Sequence, residues 1–372
     1  MPEPRWSPQQ ETALARVSDW LSGRGPSIRS QQVFRLFGYA GTGKTTLAKA
    51  IAADVGGKVA FAAFTGKAAL VLQSRGCTGA STLHSLIYKL EDENEGAPRF
   101  ALNRDSAVKD VELVIVDEVS MVDEALGKDL LAFGTKVLVL GDPAQLPPVK
   151  GGGFFTAAEP DVMLTEVHRQ ARDNPLIRLS MDVREGRPLL PGAYGGSSVV
   201  SRRDLNPDDV VDADQVLVGL NRTRHLYNGR LRALKGYEGA VPGVGERLVC
   251  LRNNRSKGLL NGGIWSVAEV ISADERVVQL HIDPEEAGTA RKRRRVSIHP
   301  FFFQGREGEL AWDVLRHFDE MTYGYALTVH KAQGSQWDKV VLFDESAAFR
   351  EDRARWLYTG LTRASQSVTV VV

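Results

Sequence analysis

Short apolar runs alternate with amphipathic stretches through the first 150 residues. Val33-Phe34-Arg35-Leu36-Phe37, the runs at 59–64 and 111–116, and 137–140 each read as a buried strand. Strands separated by helical stretches at this spacing predict βαβ units and a parallel sheet. The polar segment 91–106 (EDENEGAPRFALNRDS) breaks the pattern and reads as a small insertion. A second alternating region begins near residue 162, with strands expected at 216–218, 326–328, 340–343 and 368–372. Between about 246 and 321 the texture changes to short runs such as Arg247–Leu251, Ile264–Val267 and Val277–Ile282, parted by turn residues. That texture predicts a small β-barrel inserted into the second α/β region. No short-period repeat is present.

One junction in this pattern carries the chemistry. The strand at 33–37 runs into Gly38-Tyr39-Ala40-Gly41-Thr42-Gly43-Lys44-Thr45, and a helical stretch with Thr46 in its first turn follows to Val55. Strand, glycine loop and helix N-terminus form the P-loop arrangement, in which backbone N–H groups close around phosphate oxygens. Lys44 can reach the β- and γ-phosphates, and the Thr45 hydroxyl can hold Mg²⁺.

Two further strand ends point the same way. Leu113-Val114-Ile115-Val116 runs into Asp117-Glu118. The C-terminal end of a strand in a parallel sheet faces the ligand crevice. Asp117 is therefore placed to hold Mg²⁺, and Glu118 to orient and deprotonate an attacking water. The strand at 137–140 runs into Gly141-Asp142-Pro143-Ala144-Gln145, where the uncharged Gln145 can both donate and accept hydrogen bonds. Arg169 and Arg363 are candidates for cations on the charge that develops in phosphoryl transfer.

Composition adds boundaries rather than identity. At 372 residues the chain is long enough for two or three domains. Hydrophobic content of 43% and charged content of 25% are ordinary for a globular protein, and the net charge of +1 neither demands nor excludes nucleic acid. Cys77 and Cys250 lie far apart without metal-ligand spacing, which predicts a reducing compartment and no structural zinc. Without an apolar run of spanning length or a signal-like start, a cytoplasmic protein is expected, with no membrane partner. The run Arg291-Lys292-Arg293-Arg294-Arg295 reads either as a solvated loop or as a contact for nucleic-acid phosphates.

Taken together, these segments resemble superfamily 1 helicases of subgroup B, the RecD/Dda-like group. Other matching pieces are Gln9-Gln10-Glu11-Thr12-Ala13, Phe64-Thr65-Gly66-Lys67-Ala68-Ala69 and Ser81-Thr82-Leu83-His84-Ser85-Leu86. Asn221-Arg222-Thr223-Arg224 with Asn228, Leu260–Trp265 and Leu327-Thr328-Val329-His330-Lys331-Ala332-Gln333-Gly334-Ser335 follow in family order over nearly the whole chain. The resemblance implies two RecA-like P-loop domains: 1–161, with a pin or wedge insertion at 88–108, and 162–245 with 322–372, carrying an SH3-like barrel at 246–321. It implies that Gln10 reads the adenine edge. Lys44, Thr45, Asp117, Glu118, Gln145, Arg169 and Arg363 match ATPase positions, with Gly334 in a nucleotide-contacting segment. Thr65, Lys67, Thr82, His84, Asn221, Thr328, His330 and Lys331 match positions lining a single-strand path.

The implied activity is an ATP- and Mg²⁺-dependent 5′→3′ helicase acting as a monomer. Its implied partners are single-stranded and tailed or forked DNA, together with single-strand-binding or replication and recombination proteins. The chain starts shortly before Gln10 and ends with its last strand, which fits a minimal motor. Arg99 and Phe100 are candidates for a strand-separating tip, although a plain solvated loop fits the same segment. Gly263 follows Asn261-Gly262 where relatives often carry a polar residue, leaving that turn's type open. Two rivals remain: a translocase that needs a partner to unwind, and a DNA-binding protein using ATP only as a switch.

Overall fold

A computed structural model describes residues 6–24, 31–91, 99–148, 152–166, 174–254, 256–285 and 292–372. The described residues fall into two compact units, one reaching to Arg187 and the other formed by Pro188–Val372.

The first unit is a six-stranded parallel sheet. Its strands are β1 (Val33–Gly38), β2 (Val59–Ala63), β3 (Ser81–Thr82), β6 (Leu113–Asp117), β7 (Lys136–Gly141) and β8 (Val162–Leu164), in the order β3-β2-β6-β7-β1-β8. Between β3 and β6 lies a separate antiparallel hairpin, β4 (Tyr88–Glu91) with β5 (Arg99–Leu102). The helices are α1 (Pro8–Leu21), α2 (Lys44–Asp54), α3 (Gly66–Ser74), α4 (Leu83–Ile87), α5 (Glu124–Leu131) and α6 (Pro175–Arg184). The central strands are buried on both faces, which is why they read as continuous apolar runs. One face packs Val114, Val116, Val137 and Val139 with Leu126 and Leu130 of α5. The other packs Leu113, Ile115, Leu138 and Leu140 with Val17 and Trp20 of α1 and Leu47 and Ile51 of α2.

The second unit also has a six-stranded sheet, with the order β17-β11-β18-β19-β10-β9. Its strands are β9 (Gly192–Tyr194), β10 (Ser197–Val200), β11 (Gln215–Val218), β17 (Ala326–Thr328), β18 (Trp337–Phe343) and β19 (Ala364–Val371). All neighbours are parallel except the β9–β10 pair. Its helices include α7 (Pro207–Val211), α8 (Asn221–Leu234) and α9 (Arg353–Leu361). Between β11 and β17 the chain forms β12 (Arg247–Cys250), β13 (Ile264–Ala273), β14 (Val278–Pro284), β15 (Arg294–Ile298) and β16 (Met321–Tyr323). These strands make an antiparallel sheet in the order β15-β14-β13-β12-β16.

Two expected boundaries move. The first unit does not stop at residue 161, because β8 extends its sheet by pairing with β1 (Leu36 opposite Val162) and α6 belongs to it as well. Three residues were too short a run to assign to a sheet by periodicity. The inserted sheet likewise passes residue 321, since β16 pairs with β12 through Tyr323. The turn at Asn261-Gly262 closes through Gly263 N–H donating to Leu260 O at 2.9 Å. A side chain on Gly263 would crowd that carbonyl at 3.0 Å, which accounts for the glycine.

The insert is anchored by a buried ion pair. Arg232 of α8 donates through Nε to Glu246 Oε1 (2.6 Å) and through Nη2 to Oε2 (2.8 Å). Gly243 N–H also donates to Oε2, and Arg232 lies 4.1 Å over the Tyr323 ring. Glu246 is wholly buried.

Candidate nucleotide site

The first sheet brings its strand ends together by register. Phe37 lies opposite Gly141, and Val114, Ile115 and Val116 lie opposite Val137, Leu138 and Val139. The loops leaving β1, β6 and β7 therefore emerge side by side, carrying the P-loop, Asp117-Glu118 and Asp142–Gln145.

The loop itself is built by backbone constraints. Gly43 caps α2 with φ 84°, a left-handed conformation in which a Cβ would be strained. At Gly38 a Cβ would stand 2.7 Å from Thr42 Oγ1 and 2.8 Å from Leu164 Cβ, so the loop can pass β8 only as glycine. Thr42 is buried, and its hydroxyl donates to Tyr39 O at 2.8 Å. Lys44 Nζ donates to Gly38 O (2.6 Å) and Tyr39 O (3.0 Å), which poises its charge over the loop. Gly41 sits at the loop's outer turn with φ 77°, and Thr46 is exposed in the first turn of α2.

Gln10 reaches this loop from α1. A capping box fixes its amide: Ser7 N–H donates to Gln10 Oε1 at 3.0 Å, while Gln10 N–H donates to Ser7 Oγ. Gln10 Nε2 then donates to Thr42 O at 3.0 Å. The helix cap and the P-loop are thus tied through one side chain.

The acidic pair has distinct environments. Thr45 Oγ1 donates to Asp117 Oδ2 at 3.3 Å. Burial, reinforced by the neighbouring Glu118 charge, pushes Asp117 up to about 6, against the pull of the Glu118 N–H, Lys44 and the Thr45 hydroxyl. Glu118 has left-handed backbone (φ 55°, ψ 44°), and its N–H donates to Asp117 Oδ1 at 2.8 Å. A non-glycine residue held there stores strain, a feature that concentrates at functional sites. Gln145 is buried with its Oε1 unpartnered among the described residues, an acceptor suited to a water or a ligand hydroxyl. The oxygen donors of Thr45 and Asp117 are hard ligands of the kind Mg²⁺ takes. Among the described residues no cluster of three His, Cys, Asp or Glu offers another metal site.

The expected strand-binding residues fall into two groups by unit. In the first, Thr65 and Thr82 cap α3 and α4, accepting from Ala68 N–H and Ser85 N–H at 3.1 Å each. Lys67 is buried. His84 is exposed between the Phe64 and Tyr88 rings (5.9 and 5.8 Å), so it is not a core histidine. In the second, Asn221 is exposed at the first turn of α8 and Thr328 is buried at the end of β17. His330 packs on Phe349, and burial lowers its pKa. Burial and the nearby Arg224 charge also lower that of Lys331. Gly334 turns the chain toward β18 with φ 75°.

Of the two arginines, Arg169 lies outside the described residues. Arg363 is buried in the second unit. Its Nε donates to Thr359 O, Nη1 to Ser335 O and Nη2 to Thr362 Oγ1, at 3.1–3.2 Å. Neutral groups hold its charge, and no carboxylate pairs with it among the described residues. The insertion's hairpin leaves Phe100 57% exposed, while residues 92–98 lie outside the described residues.

Sequence reasoning missed Glu345 and Arg75, and it named Asn228 without its role. Glu345 accepts from Gly219 N–H, Leu220 N–H and Thr223 Oγ1, and so holds the start of α8. Asn228 clamps Ala326 through both its N–H and its carbonyl. Arg75 Nη1 lies 3.4 Å from Thr45 Oγ1. Glu345 and Arg75 sit in no local motif, and the partners that define them lie at least 30 residues away.

Fold and site define a P-loop nucleotide-binding protein with two α/β sheets, the first parallel and the second parallel except at its β9–β10 edge. Comparison with known proteins refines this. The AAA-domain family matches residues 27–199, and the UvrD-like helicase C-terminal domain family matches 323–371. The ATP-dependent RecD2 DNA helicase of Deinococcus radiodurans is 32% identical over 383 aligned positions, covering 94% of this chain and 47% of that protein. The ATP-dependent DNA helicase dda of phage T4 is 33% identical over 165 positions, 40% of this chain and 37% of that protein. The Pif1 helicase from Bacteroides in complex with ADP-AlF3 and single-stranded DNA shares the fold, with a TM-score of 0.58 and 17% identity over 99% of this chain and 92% of that one. Over nearly its whole length the chain is similar in sequence to the RecD2 DNA helicase, and over a shorter stretch to the dda helicase. It spans under half the length of the first curated relatives it matches. No helix among the described residues is long and apolar enough to cross a membrane.

Proposed function

We propose that the protein is an ATP-driven DNA helicase that moves 5′→3′ on single-stranded DNA. The observation that carries the reading is the convergence of Lys44, Thr45, Asp117 and the strained Glu118 on adjacent strand ends, in a chain homologous to DNA helicases. Gln10 orients the base. Lys44 binds the phosphates in place of the Gly38 and Tyr39 carbonyls. Thr45 and Asp117 would hold Mg²⁺, which when bound neutralises phosphate charge. Glu118 takes a proton from water, Gln145 positions that water, and Arg169 and Arg363 stabilise the developing charge.

The strand-binding residues we assign are Thr65, Lys67, Thr82, His84, Asn221, Thr328, His330 and Lys331. Exposed His84 between two aromatic rings supports a stacking platform. With their hydroxyls committed to caps, Thr65 and Thr82 would contribute helix N-terminal N–H groups to phosphates. We assign the sheet of β12–β16 as the SH3-like insert, and the β4–β5 hairpin with Phe100 as the separating pin. A monomer in the cytoplasm, working on tailed or forked duplexes with single-strand-binding or replication and recombination proteins, fits this reading.

The test is unwinding of paired fluorescent duplexes carrying a 5′ or a 3′ tail, with ATP and Mg²⁺. Opening confined to the 5′-tailed duplex is expected. Opening of only the 3′-tailed one overturns the polarity, and DNA-stimulated hydrolysis without opening favours a translocase that needs a partner.

A further inference from the structure

Helix α3 (Gly66–Ser74) has Thr65 as its N-cap and Arg75 as its C-cap, about 15 Å apart at the rise of an α-helix. Its far end lies against the P-loop helix. Arg75 is exposed, its Nη1 donates to Thr45 Oγ1 at 3.4 Å, and no carboxylate pairs with it among the described residues. Lys49, one turn beyond Thr45 on α2, packs at the next residue: a Cβ on Gly76 would stand 2.8 Å from Lys49 Nζ. Of the cations on this side, Arg75 reaches the Thr45 hydroxyl, while Lys44 Nζ is held by the Gly38 and Tyr39 carbonyls and Lys49 Nζ lies at Gly76; the carboxylate bonded to that hydroxyl is Asp117. An exposed arginine ordinarily finds a carboxylate or turns to water. One held against the hydroxyl of a P-loop threonine is placed where phosphate charge arrives.

We propose that Arg75 is a nucleotide-facing cation, delivering its guanidinium from the end of α3 to the phosphate end of the P-loop beside Thr45. The inference rests on the nucleotide reading above and names one more residue of that site. The planar fork of a guanidinium matches phosphate oxygens better than it matches a single hydroxyl. A cation on Thr45 repels Arg75, and phosphate oxygens would offer it a bidentate partner. Because the opposite end of α3 carries Thr65 and Lys67, displacement of that end also displaces the cation.

The experiment is equilibrium binding of a fluorescent non-hydrolysable ATP analogue to the full chain, in Mg²⁺ and in EDTA. Wild type is compared with Arg75→Ala, Arg75→Lys and Lys44→Ala. Arg75→Ala should weaken binding about tenfold in both buffers, the size of a lost charge-assisted contact. Arg75→Lys should recover part of the loss, with single-strand DNA affinity in the absence of nucleotide unchanged. Wild-type nucleotide affinity in Arg75→Ala alongside a loss in Lys44→Ala overturns the role of Arg75 alone. A loss of DNA affinity with nucleotide affinity intact also overturns it. If Arg75→Ala and Lys44→Ala both bind the analogue like wild type, the P-loop reading falls together with this one.

Discussion

The two parallel sheets have the same strand count but commit their functional side chains differently. In the first unit, Lys44 leans on two loop carbonyls, and Glu118 makes no side-chain hydrogen bond among the described residues. In the second, Arg363 is threaded into the carbonyls of Thr359 and Ser335, and the start of α8 hangs on Glu345. The contrast lies in particular groups: Lys44 rests on two loop carbonyls, whereas Arg363 is held by three separate acceptors. Groups that must meet a new ligand each cycle gain from having few permanent partners. A cation that must stay aimed gains from many.

The sharpest way to break that contrast is a pair of substitutions. Arg363→Ala should lower ATP turnover by about 10³-fold or more, the range for an arginine finger, and should also lower the melting temperature. Glu118→Gln should lower turnover by about 10²–10⁴-fold, the range for general-base loss, with melting unchanged. Turnover assays alongside thermal melts check both, and an unaltered melting curve for Arg363→Ala would erase the distinction. Next in size, Glu246→Ala should destabilise the second unit by about 3–5 kcal/mol, because Arg232 is left charged and buried. Denaturant unfolding reads this directly.

The smallest effect concerns Asp117. Its folded pKa, about 6, lies above its ordinary value, so the folded state holds the proton more tightly than the unfolded chain. The carboxylate's penalty is therefore fully present above pH 6 and is relieved as pH falls toward 4. Asp117→Asn, measured in EDTA without nucleotide, should be more stable than wild type by about 1–2 kcal/mol above pH 6, with the advantage shrinking below it. A constant difference across that range would place the cause elsewhere.

Legibility followed locality. The strands 33–37, 137–140 and 326–328 were readable because buried parallel strands are continuous apolar runs. The P-loop was readable because its backbone demands glycine at fixed spacing. The β8 strand escaped because three residues carry no period, and Arg75 and Glu345 escaped because their partners are remote in sequence. Thr65 and Thr82 were found as positions, but their hydroxyls' service as helix caps emerged only from coordinates. The basic run 291–295 was visible without its setting: Arg291 lies outside the described residues, Arg293 pairs with Asp283, and Arg294 and Arg295 stand on β15.

The order of strands has a consequence for the protein in a crowded cell. Every parallel sheet here is bounded by a stub: β3 has two residues, and β8, β17 and β9 have three each. The inserted sheet ends on three-residue β16 and on β15, which begins with Arg294 and Arg295 and whose Ser297 N–H and carbonyl are both bonded to Asp319. Unpaired strand edges are templates for aggregation, and brevity and positive charge are two ways chains blunt them. Charge at the start of β15 and the Asp319 contact at Ser297 therefore blunt this rim in two ways, and replacing Arg294 and Arg295 with valines is expected to make it more adhesive.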